Sequence, residues 1–305
     1  MAVTECRDAM HGVSTASPYL HHKYAYVRVG GDLPIHAHYG FHHYAIWGGS
    51  SPEHGNLPDG WNAYKKIFVA EKGDEENAPI EEVINSLGNH LGSRNFGLDY
   101  RGESFGLQLY WQTIFEDGSG RAWRNIEDGL WGLVYNNYQK RKPFVQSALY
   151  EFLHTTDQSG QHHRIDGEIV GGNDNYFNHF LYSSGWTTHG YTLGTPLITS
   201  PVIDRKSSGQ ILVNNKVVAH HLGLKGWLLD NLHYRVSGTY SVNHGTNHSP
   251  FESFKREYSI LSEFHYQLPE TPWKFKLKLA ADFGDMYGKN FGMSFGVVNR
   301  GWMGE

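Results

Sequence analysis

Hydrophobic and polar residues alternate without a break near the C-terminal end of the chain, over Trp273-Lys-Phe-Lys-Leu-Lys-Leu279. Four apolar side chains fall on one face of this segment and three lysines on the other. A period of two is that of a β-strand with two chemically different faces. The same alternation returns at 291–297, where phenylalanine, methionine and valine alternate with glycine and serine.

Similar segments follow one another along most of the chain, and about eleven or twelve strands are predicted. Many of them reach the ~9–11 residues that a strand tilted across a bilayer needs, whereas globular strands average ~5–6. Length and alternation together predict an all-β fold, an antiparallel transmembrane β-barrel of the outer-membrane type. The predicted strands are 23–29, 35–47, 96–101, 105–115, 129–138, 144–153, 209–227, 232–242, 254–268, 273–283 and 291–298.

Composition is compatible with two classes of protein. The chain holds 19 Tyr, 16 Phe, 9 Trp and 36 Gly, and it has no run of ~18 apolar residues that would form a spanning helix. A soluble all-β protein and an outer-membrane barrel both have such a composition. Tryptophans near predicted strand ends favour the barrel, because aromatic girdles mark its two interfaces. They are Trp47, Trp111, Trp131, Trp227, Trp273 and Trp302.

Two long connections interrupt the series of strands, near 48–94 and 158–208. The first contains helical patterns at 61–71 and 79–87, and long loops of this kind often carry function. We predict one β-barrel domain over 23–305 and a disordered or non-native segment over 1–22. The N-terminus lacks the basic start and apolar stretch of a signal peptide. The net charge of -5 gives no footprint for nucleic acid, and Cys6 alone makes no internal disulfide.

Catalytic and metal-binding patterns are weak. Of the twenty histidines, His36 and His38 share one strand face, whereas the adjacent pairs at 42–43, 162–163 and 220–221 point to opposite faces. Two G-x-S-x-G matches, at 102–106 and 292–296, lie in a hairpin turn and a strand rather than before a helix, so neither predicts a nucleophile elbow. We expect no cofactor, no metal site and no enzymatic activity.

The second long connection combines amide, carboxylate, imidazole and aromatic side chains at high density. It reads Gly172-Asn-Asp-Asn-Tyr-Phe-Asn-His179, followed by Tyr182-Ser-Ser-Gly-Trp-Thr-Thr-His189. Sugar rings stack on aromatic faces, and their hydroxyls meet carboxylates, amides and imidazoles. We therefore predict that this segment contacts a saccharide, or forms a plug held by its own hydrogen bonds. The candidate residues are Asp174, Tyr176, Asn178, His179, Tyr182 and Trp186.

This segment, continued through Gly194-Thr-Pro-Leu197, resembles the capsule assembly protein Wzi family in its Bacteroidetes-like branch. Other stretches match in family order from about Tyr24 onward. They are His42-His-Tyr-Ala-Ile-Trp-Gly-Gly49, Leu87-Gly-Asn-His-Leu-Gly92, Phe115-Glu-Asp-Gly-Ser-Gly120, Asp128-Gly-Leu-Trp-Gly132, Leu149-Tyr-Glu-Phe-Leu153, Thr155-Thr-Asp-Gln-Ser-Gly160, Ala219-His-His-Leu-Gly-Leu-Lys-Gly226 and Tyr287-Gly-Lys-Asn-Phe-Gly292.

The resemblance implies a barrel of about eighteen strands in the bacterial outer membrane, in contact with its lipids. It also implies a monomeric, lectin-like protein that holds capsular or extracellular polysaccharide at the cell surface, without catalysis. The predicted strands are too few for that barrel, so we expect an N-terminally truncated member. Lys274, Lys276 and Lys278 would line the polar interior and attract an acidic polysaccharide.

Two other functions stay open at this point. One is a channel or transporter barrel in which the long loops only constrict the pore. The other is a secreted β-protein that acts on glycans, for which Glu116 or Glu151 would supply the carboxyl group.

Overall fold

The computed structural model describes residues 15–299, except 75, 77, 85, 117, 140, 162–163, 166–167, 170–171 and 204–211. One sheet of eleven strands dominates the fold, and each strand is antiparallel to its neighbours and hydrogen-bonded to them in chain order. The predicted all-β antiparallel fold is confirmed. The strands are β1 (Tyr19–Val29), β2 (Ile35–Trp47), β3 (Asn89–Arg101), β4 (Phe105–Phe115), β5 (Gly129–Asn137), β6 (Ser147–His154), β7 (Val217–Leu229), β8 (Leu232–Gly245), β9 (Pro250–Gln267), β10 (Trp273–Gly284) and β11 (Asn290–Asn299).

The sheet is open within the described part of the chain, because β1 and β11 are its edges and do not pair with each other. Closure into a barrel therefore stays a prediction. The strands run from 8 residues in β6 to 18 in β9, long enough for most of them to cross a bilayer. No helix among the described residues has the length and apolarity to span a membrane.

The connections differ sharply between the two ends of the strands. At one end the strands are joined by compact turns, such as 30–34, 102–104 and 230–231. At the other end lie the three longest connections, 48–88, 116–128 and 155–216. We call these the short-turn end and the long-loop end. Outer-membrane barrels have this asymmetry, with short periplasmic turns and longer extracellular loops.

The strand register aligns apolar residues in one row that crosses all eleven strands. We call its side of the sheet the outer face. Leu98, Leu222 and Phe291 in this row are 50%, 60% and 73% exposed, so no other part of the described chain covers them. The apolar row is Val29, Ala37, Leu98, Leu109, Leu133, Tyr150, Leu222, Gly238, Ile260, Ala281 and Phe291.

A second row, each member adjacent in sequence to a member of the first, therefore lies on the opposite, inner face. It carries charged, imidazole, hydroxyl and amide groups, with two glycines. The polar row is Arg28, His38, Gly97, Tyr110, Gly132, Glu151, His221, Thr239, Ser259, Asp282 and Asn290. Antiparallel sheets commonly have one apolar and one polar face, and here much of the apolar face is exposed within the described part of the chain.

Both predicted helices in the first long connection are present, as α1 (Gly60–Val69) and α2 (Ile80–Ile84). A third short helix, α3 (Gly118–Arg121), follows β4. Ala63 and Ile67 of α1 pack against Ala45 and Trp47 on the outer face of β2. The outer face is therefore covered by protein at the long-loop end and exposed further along the strands.

β3 begins at Asn89, earlier than the predicted residue 96. The cover on the outer face explains why the sequence pattern missed these first residues of the strand. His43 and His90 occupy outer-face positions but are buried, with 2.9 Å between His43 Nε2 and His90 Nδ1. His90 Nε2 also lies 2.7 Å from the carbonyl oxygen of Leu87 in the connection. Because the covering protein supplies hydrogen-bond partners here, polar residues are tolerated on the outer face and the alternation disappears from the sequence.

Other boundaries differ from the predictions as well. β6 begins at Ser147 rather than at residue 144, and β9 at Pro250 rather than at residue 254. β1 begins at Tyr19, so the predicted division between 1–22 and 23–305 falls inside a strand. β7 begins at Val217 rather than at residue 209, and it follows a segment that packs on the inner face. Residues 1–14, the histidine pair at 162–163 and Trp302 lie outside the described residues.

Candidate functional site

The connection between β6 and β7 folds back over the inner face at the long-loop end. We call its described part, within 155–203 and 212–216, the folded loop. Phe177, Trp186 and Ile198 belong to its buried apolar core. This core packs against side chains on the inner face of β2, β3 and β4, which are Tyr44, Ile46, Leu91 and Ile114. The folded loop is thus attached to the sheet by hydrophobic burial.

Asp128, just before β5, is the polar anchor of the folded loop and is fully buried. One of its oxygens accepts a hydrogen bond of 2.7 Å from the Tyr176 hydroxyl and another of 2.7 Å from the backbone N–H of Gln158. The other oxygen accepts the Asp157 N–H at 3.0 Å and lies 3.0 Å from His154 Nδ1. Charge-assisted hydrogen bonds of this kind are strong, so a single carboxylate beside β5 holds two separate stretches of the first half of the loop, at 157–158 and at Tyr176.

The Asp128 carboxylate also affects the protonation of its neighbours. Burial, reinforced by the Asp128 charge, raises the pKa of Tyr176 well above its ordinary value, so its hydroxyl stays a donor. Asn125 Nδ2 donates to the same hydroxyl oxygen at 2.6 Å. Burial first, and then the Asp128 charge, raises the pKa of the Asp157 carboxyl.

Asp174 and Asn178 hold the folded loop together internally. The Ser159 hydroxyl donates to Asp174 Oδ2 at 2.7 Å. The amide of Asn178 pairs with the backbone of Leu212 in both directions, because its Oδ1 accepts the Leu212 N–H and its Nδ2 donates to the Leu212 carbonyl, each at 3.1 Å. These side chains satisfy backbone groups that lack regular secondary structure.

His179 is a hydrogen-bond acceptor within the folded loop. Its Nδ1 accepts the backbone N–H groups of Leu181 and Tyr182, both at 3.2 Å, and its ring stacks on Phe180 with centroids 4.5 Å apart. Burial lowers the pKa of His179 to about 3. An imidazole that accepts two N–H donors at Nδ1 is neutral there, so His179 offers no cationic charge at neutral pH.

Tyr182 and Trp186 are buried with only 2% and 3% exposure. The Tyr182 hydroxyl donates to the carbonyl oxygen of Gly48 at 3.4 Å, and burial raises the pKa of this hydroxyl. Trp186 Nε1 donates to Asn89 Oδ1 at 3.1 Å, and its ring meets Tyr44 edge-on at 6.3 Å. Both polar tips are satisfied by the protein, as buried aromatic residues require.

All six candidate residues of the loop therefore lie in one folded unit. The rings of Tyr176, Tyr182 and Trp186 are covered by the protein itself, at 0%, 2% and 3% exposure. The two predicted roles were contact with a saccharide and a plug held by its own hydrogen bonds. The buried positions of the three rings fit the second role. Contact between any of the six residues and a saccharide stays a prediction. For the three buried rings it would require the folded loop to open, whereas Asn178 and His179 are half-buried.

The three predicted lysines lie on the inner face of β10, as the register with β9 places them. Lys278 Nζ is 2.6 Å from Glu263 Oε1, and Arg235 Nη1 is 3.6 Å from Glu263 Oε2. One glutamate thus sits between two cations, which leaves a positive surplus. Arg235, Glu263 and Lys278 belong to another inner-face row, which we call the basic row. It comprises Arg101, Gly106, Asn136, Ser147, Lys225, Arg235, Glu263, Lys278 and Ser294.

A cavity of about 780 Å³ lies between part of the folded loop and the inner face, beside the region where the two pack together. Leu91, Leu130 and Leu153 make its sheet side largely apolar, and Glu151 and His221 of the polar row add two ionisable groups. Residues 193–198 of the folded loop cover it. It is large enough for a sugar unit or a comparable small molecule.

The carboxylates considered for catalysis are engaged in structural contacts. Glu116 Oε1 accepts the backbone N–H of Phe177 at 2.7 Å, and Glu151 accepts the hydroxyl of Tyr110. Among the described residues, no group of three or more His, Cys, Asp or Glu side chains is placed to hold a metal ion. Both G-x-S-x-G matches fall where they were predicted, one across the β3–β4 turn and one inside β11.

Sequence reasoning missed the buried polar anchors, above all Asp128 and Asn215. Asn215 Nδ2 donates to Asn175 Oδ1 and to the carbonyl oxygen of Tyr176, both at 2.7 Å. Asp128 stands directly before the apolar start of β5 and opens the stretch Asp128-Gly-Leu-Trp-Gly132, but neither observation assigned it a role. Asn215 stands in Asn214-Asn215 just before β7, a pair that the strand pattern did not separate from an ordinary turn.

No protein-family model and no curated protein matches the sequence. Among solved structures, the fold is similar to Wzi of Escherichia coli, described as an outer-membrane protein involved in group 1 capsule assembly and as a carbohydrate-binding β-barrel. The TM-score is 0.56 at 12% sequence identity, over 97% of this chain and 54% of that one. The chain thus spans about half the length of the protein that it matches. At this identity the similarity concerns the fold, and the chain has a Wzi-like fold.

Proposed function

We propose that this chain forms part of the wall of an outer-membrane β-barrel of the Wzi family and holds capsular or extracellular polysaccharide at the cell surface. The observation that carries the proposal is the pair of opposed rows across eleven strands. An exposed apolar row fits a lipid environment, and an adjacent polar row fits a hydrated interior. The Wzi-like fold supports the same reading.

Closure of the sheet is part of this proposal. The outer edges of β1 and β11 carry backbone N–H and C=O groups that need partners in a bilayer, because lipid supplies none. We propose that further strands of the same barrel pair with these edges. A larger barrel would also place the basic row and Lys274, Lys276 and Lys278 around a common interior.

The folded loop supports retention of a polymer rather than free conduction. Its apolar core packs on the inner face, and Asp128 holds it there with hydrogen bonds from Tyr176 and the backbone. A loop so anchored narrows the interior instead of merely bordering it. In planar bilayers we therefore expect almost no steady conductance, whereas large and lasting openings would favour the channel or transporter alternative.

Binding without catalysis is also part of the proposal. Glu116 and Glu151 each accept a hydrogen bond from another part of the protein, which supports structural roles for them. Incubation of a polysaccharide with the protein is expected to leave its chain length unchanged. Shortening that disappears in the Glu116→Gln or Glu151→Gln variant would instead support the secreted-enzyme alternative.

The test of the proposed function compares cells with and without the gene for this protein. Cells that express it should carry the protein in the outer-membrane fraction and keep their polysaccharide on the surface. Cells without it should release the polysaccharide into the medium at an unchanged total yield. Equal surface retention in the two strains, or recovery of the protein in the soluble fraction, would contradict the proposal.

A further inference from the structure

A second, smaller cavity lies on the inner face at the short-turn end, away from the folded loop. It measures about 390 Å³ and is formed by β1 to β5. Its lining is predominantly polar, in contrast to the apolar cavity under the folded loop. The residues used below are Tyr26, Arg28, His38, Asp99, Arg101 and Tyr138.

Asp99 is the acidic centre of this cavity. Its Oδ2 lies 3.7 Å from Arg28 Nη2 and 3.6 Å from His38 Nδ1, distances that allow charge attraction but exceed those of good hydrogen bonds. Within the described part of the chain, the buried His38 Nδ1 has no hydrogen-bond partner. The carboxylate is thus oriented by two neighbours while its lone pairs remain available to hydroxyl donors.

Glycines let two rings lie across the cavity wall. A Cβ on Gly97 would stand 2.0 Å from Cε1 of His38, and a Cβ on Gly106 would stand 2.2 Å from the hydroxyl oxygen of Tyr138. Each ring therefore fills the space where a neighbouring side chain would stand. Tyr138 remains 46% exposed, so part of its surface is available for stacking by another ring.

Cationic charge exceeds anionic charge around the cavity. Arg28 shares Asp99 with His38, whereas no carboxylate of the described residues lies within ion-pair distance of Arg101. Arg101 is the first residue of the basic row. It pairs with Gly106 on β4, and Gly106 pairs with Asn136 on β5, which also lines the cavity. A guanidinium is suited to bind a carboxylate through two parallel hydrogen bonds.

We propose that this cavity binds an acidic sugar unit, a hexuronate, of the polysaccharide. Arg101 binds the sugar carboxylate, Asp99 accepts hydrogen bonds from the hydroxyls, and Tyr138 and Tyr26 contact the ring. The proposal rests on the proposed function and adds to it a site and a substrate class. It places this site at the short-turn end, so in a barrel with periplasmic short turns the sugar unit reaches it from the periplasmic side and not past the folded loop.

The experiment titrates the full chain in detergent with a hexamer of galacturonic acid and, separately, with neutral maltohexaose. The unchanged protein should bind the acidic hexamer at least about tenfold more tightly, since a charge-assisted contact of this kind is worth a factor of about ten or more. Arg101→Gln should remove this preference. Asp99→Asn should weaken the binding of both oligosaccharides.

The Gly97→Ala variant tests the wall itself, because its methyl group displaces the His38 ring without removing any polar group. Gly40→Ala is the matched control on the same face, where an added Cβ has its nearest neighbour at 3.5 Å, an ordinary contact. Gly97→Ala should weaken binding of the acidic hexamer several-fold more than Gly40→Ala. Thermal unfolding of each variant would show that loss of binding is not loss of folding.

The outcomes separate this proposal from the proposed function. If cells retain the polysaccharide but Arg101→Gln binds the acidic hexamer as well as the unchanged protein does, the uronate site is wrong and the function stands. Equal affinity of the unchanged protein for acidic and neutral hexamers also overturns the site. Loss of retention in cells that lack the gene, together with loss of hexamer binding in Arg101→Gln, supports both.

Discussion

Tyr110 lies with its ring across Gly132, so that a Cβ on this glycine would stand 1.9 Å from Cζ of the tyrosine. The two residues are register partners on β4 and β5. From this position the Tyr110 hydroxyl donates to Glu151 on the next strand. The glycine therefore provides the space for a ring that links three strands of the inner face, and His38 lies across Gly97 in the same way.

Gly132→Ala should destabilise the protein, because the methyl group forces the Tyr110 ring away from its place. Overpacking of this kind costs about 1–3 kcal/mol. Gly223→Ala is the matched control, since an added Cβ there meets Leu149 at 3.6 Å, an ordinary distance. The free energy of unfolding of each variant is measured in detergent micelles. Equal values for Gly132→Ala and Gly223→Ala would mean that the Tyr110 ring adapts without strain.

The outer face should reject a charge that the inner face accepts. Ile260 belongs to the apolar row and Leu261, its neighbour in sequence, points to the inner face of the same strand. An arginine on a lipid-facing position costs about 2–4 kcal/mol near the middle of the bilayer. Ile260→Arg should thus reduce folding into lipid vesicles strongly and Leu261→Arg only slightly. The reverse order would contradict the assignment of the two faces.

Trp186→Ala should release the folded loop while leaving the sheet intact. The side chain is 3% exposed and packs in the apolar core, and truncation of such a buried aromatic residue costs about 3–5 kcal/mol. Limited proteolysis should then cut within the folded loop, whereas the unchanged loop resists. Leu193→Ala, at a position that is 42% exposed, serves as the control within the same loop. Equal resistance of all three proteins would mean that the core does not hold the loop.

Asp157→Asn should stabilise the folded loop at neutral pH. Burial and the Asp128 charge raise the pKa of Asp157, so the folded state disfavours its ionised form, although His154 and Lys216 offset part of this effect. The variant removes the free-energy cost of holding an ionised carboxylate in the folded loop. Its gain in stability over the unchanged protein should fade as the pH falls through the raised pKa of Asp157. Below an unfolded-state pKa of about 3.9 the two proteins should open equally. The protease-resistant fraction across pH measures this, and a pH-independent difference would contradict the explanation.

The strands were predictable wherever apolar residues on one face alternate with polar residues on the other. β10 and β11 match their predicted ranges closely, because the lysines from Lys274 to Lys278 alternate strictly with apolar residues, and no polar residue interrupts the apolar side. The start of β3 was missed for the opposite reason. His90 lies on the outer face but is buried beside Leu87, so its polarity conceals the strand.

The candidate site was less predictable, because it depends on contacts between distant residues. Composition drew attention to the segment around Tyr176 and Trp186 but could not tell whether its rings are exposed or buried. Burial follows from Asp128, about fifty residues away, which accepts the Tyr176 hydroxyl. The cavity around Asp99 and Arg101 needs the register of five strands, and no local pattern contains that information.

The central claim is that the polar inner face holds an acidic polysaccharide. The most direct test is an equilibrium titration of the full chain in detergent with polysaccharide purified from the producing cells, before and after chemical reduction of its carboxyl groups. We predict saturable binding of the native polymer and a marked loss of affinity for the reduced polymer. Absence of saturable binding to the native polymer, or equal affinity for the two forms, would contradict the claim.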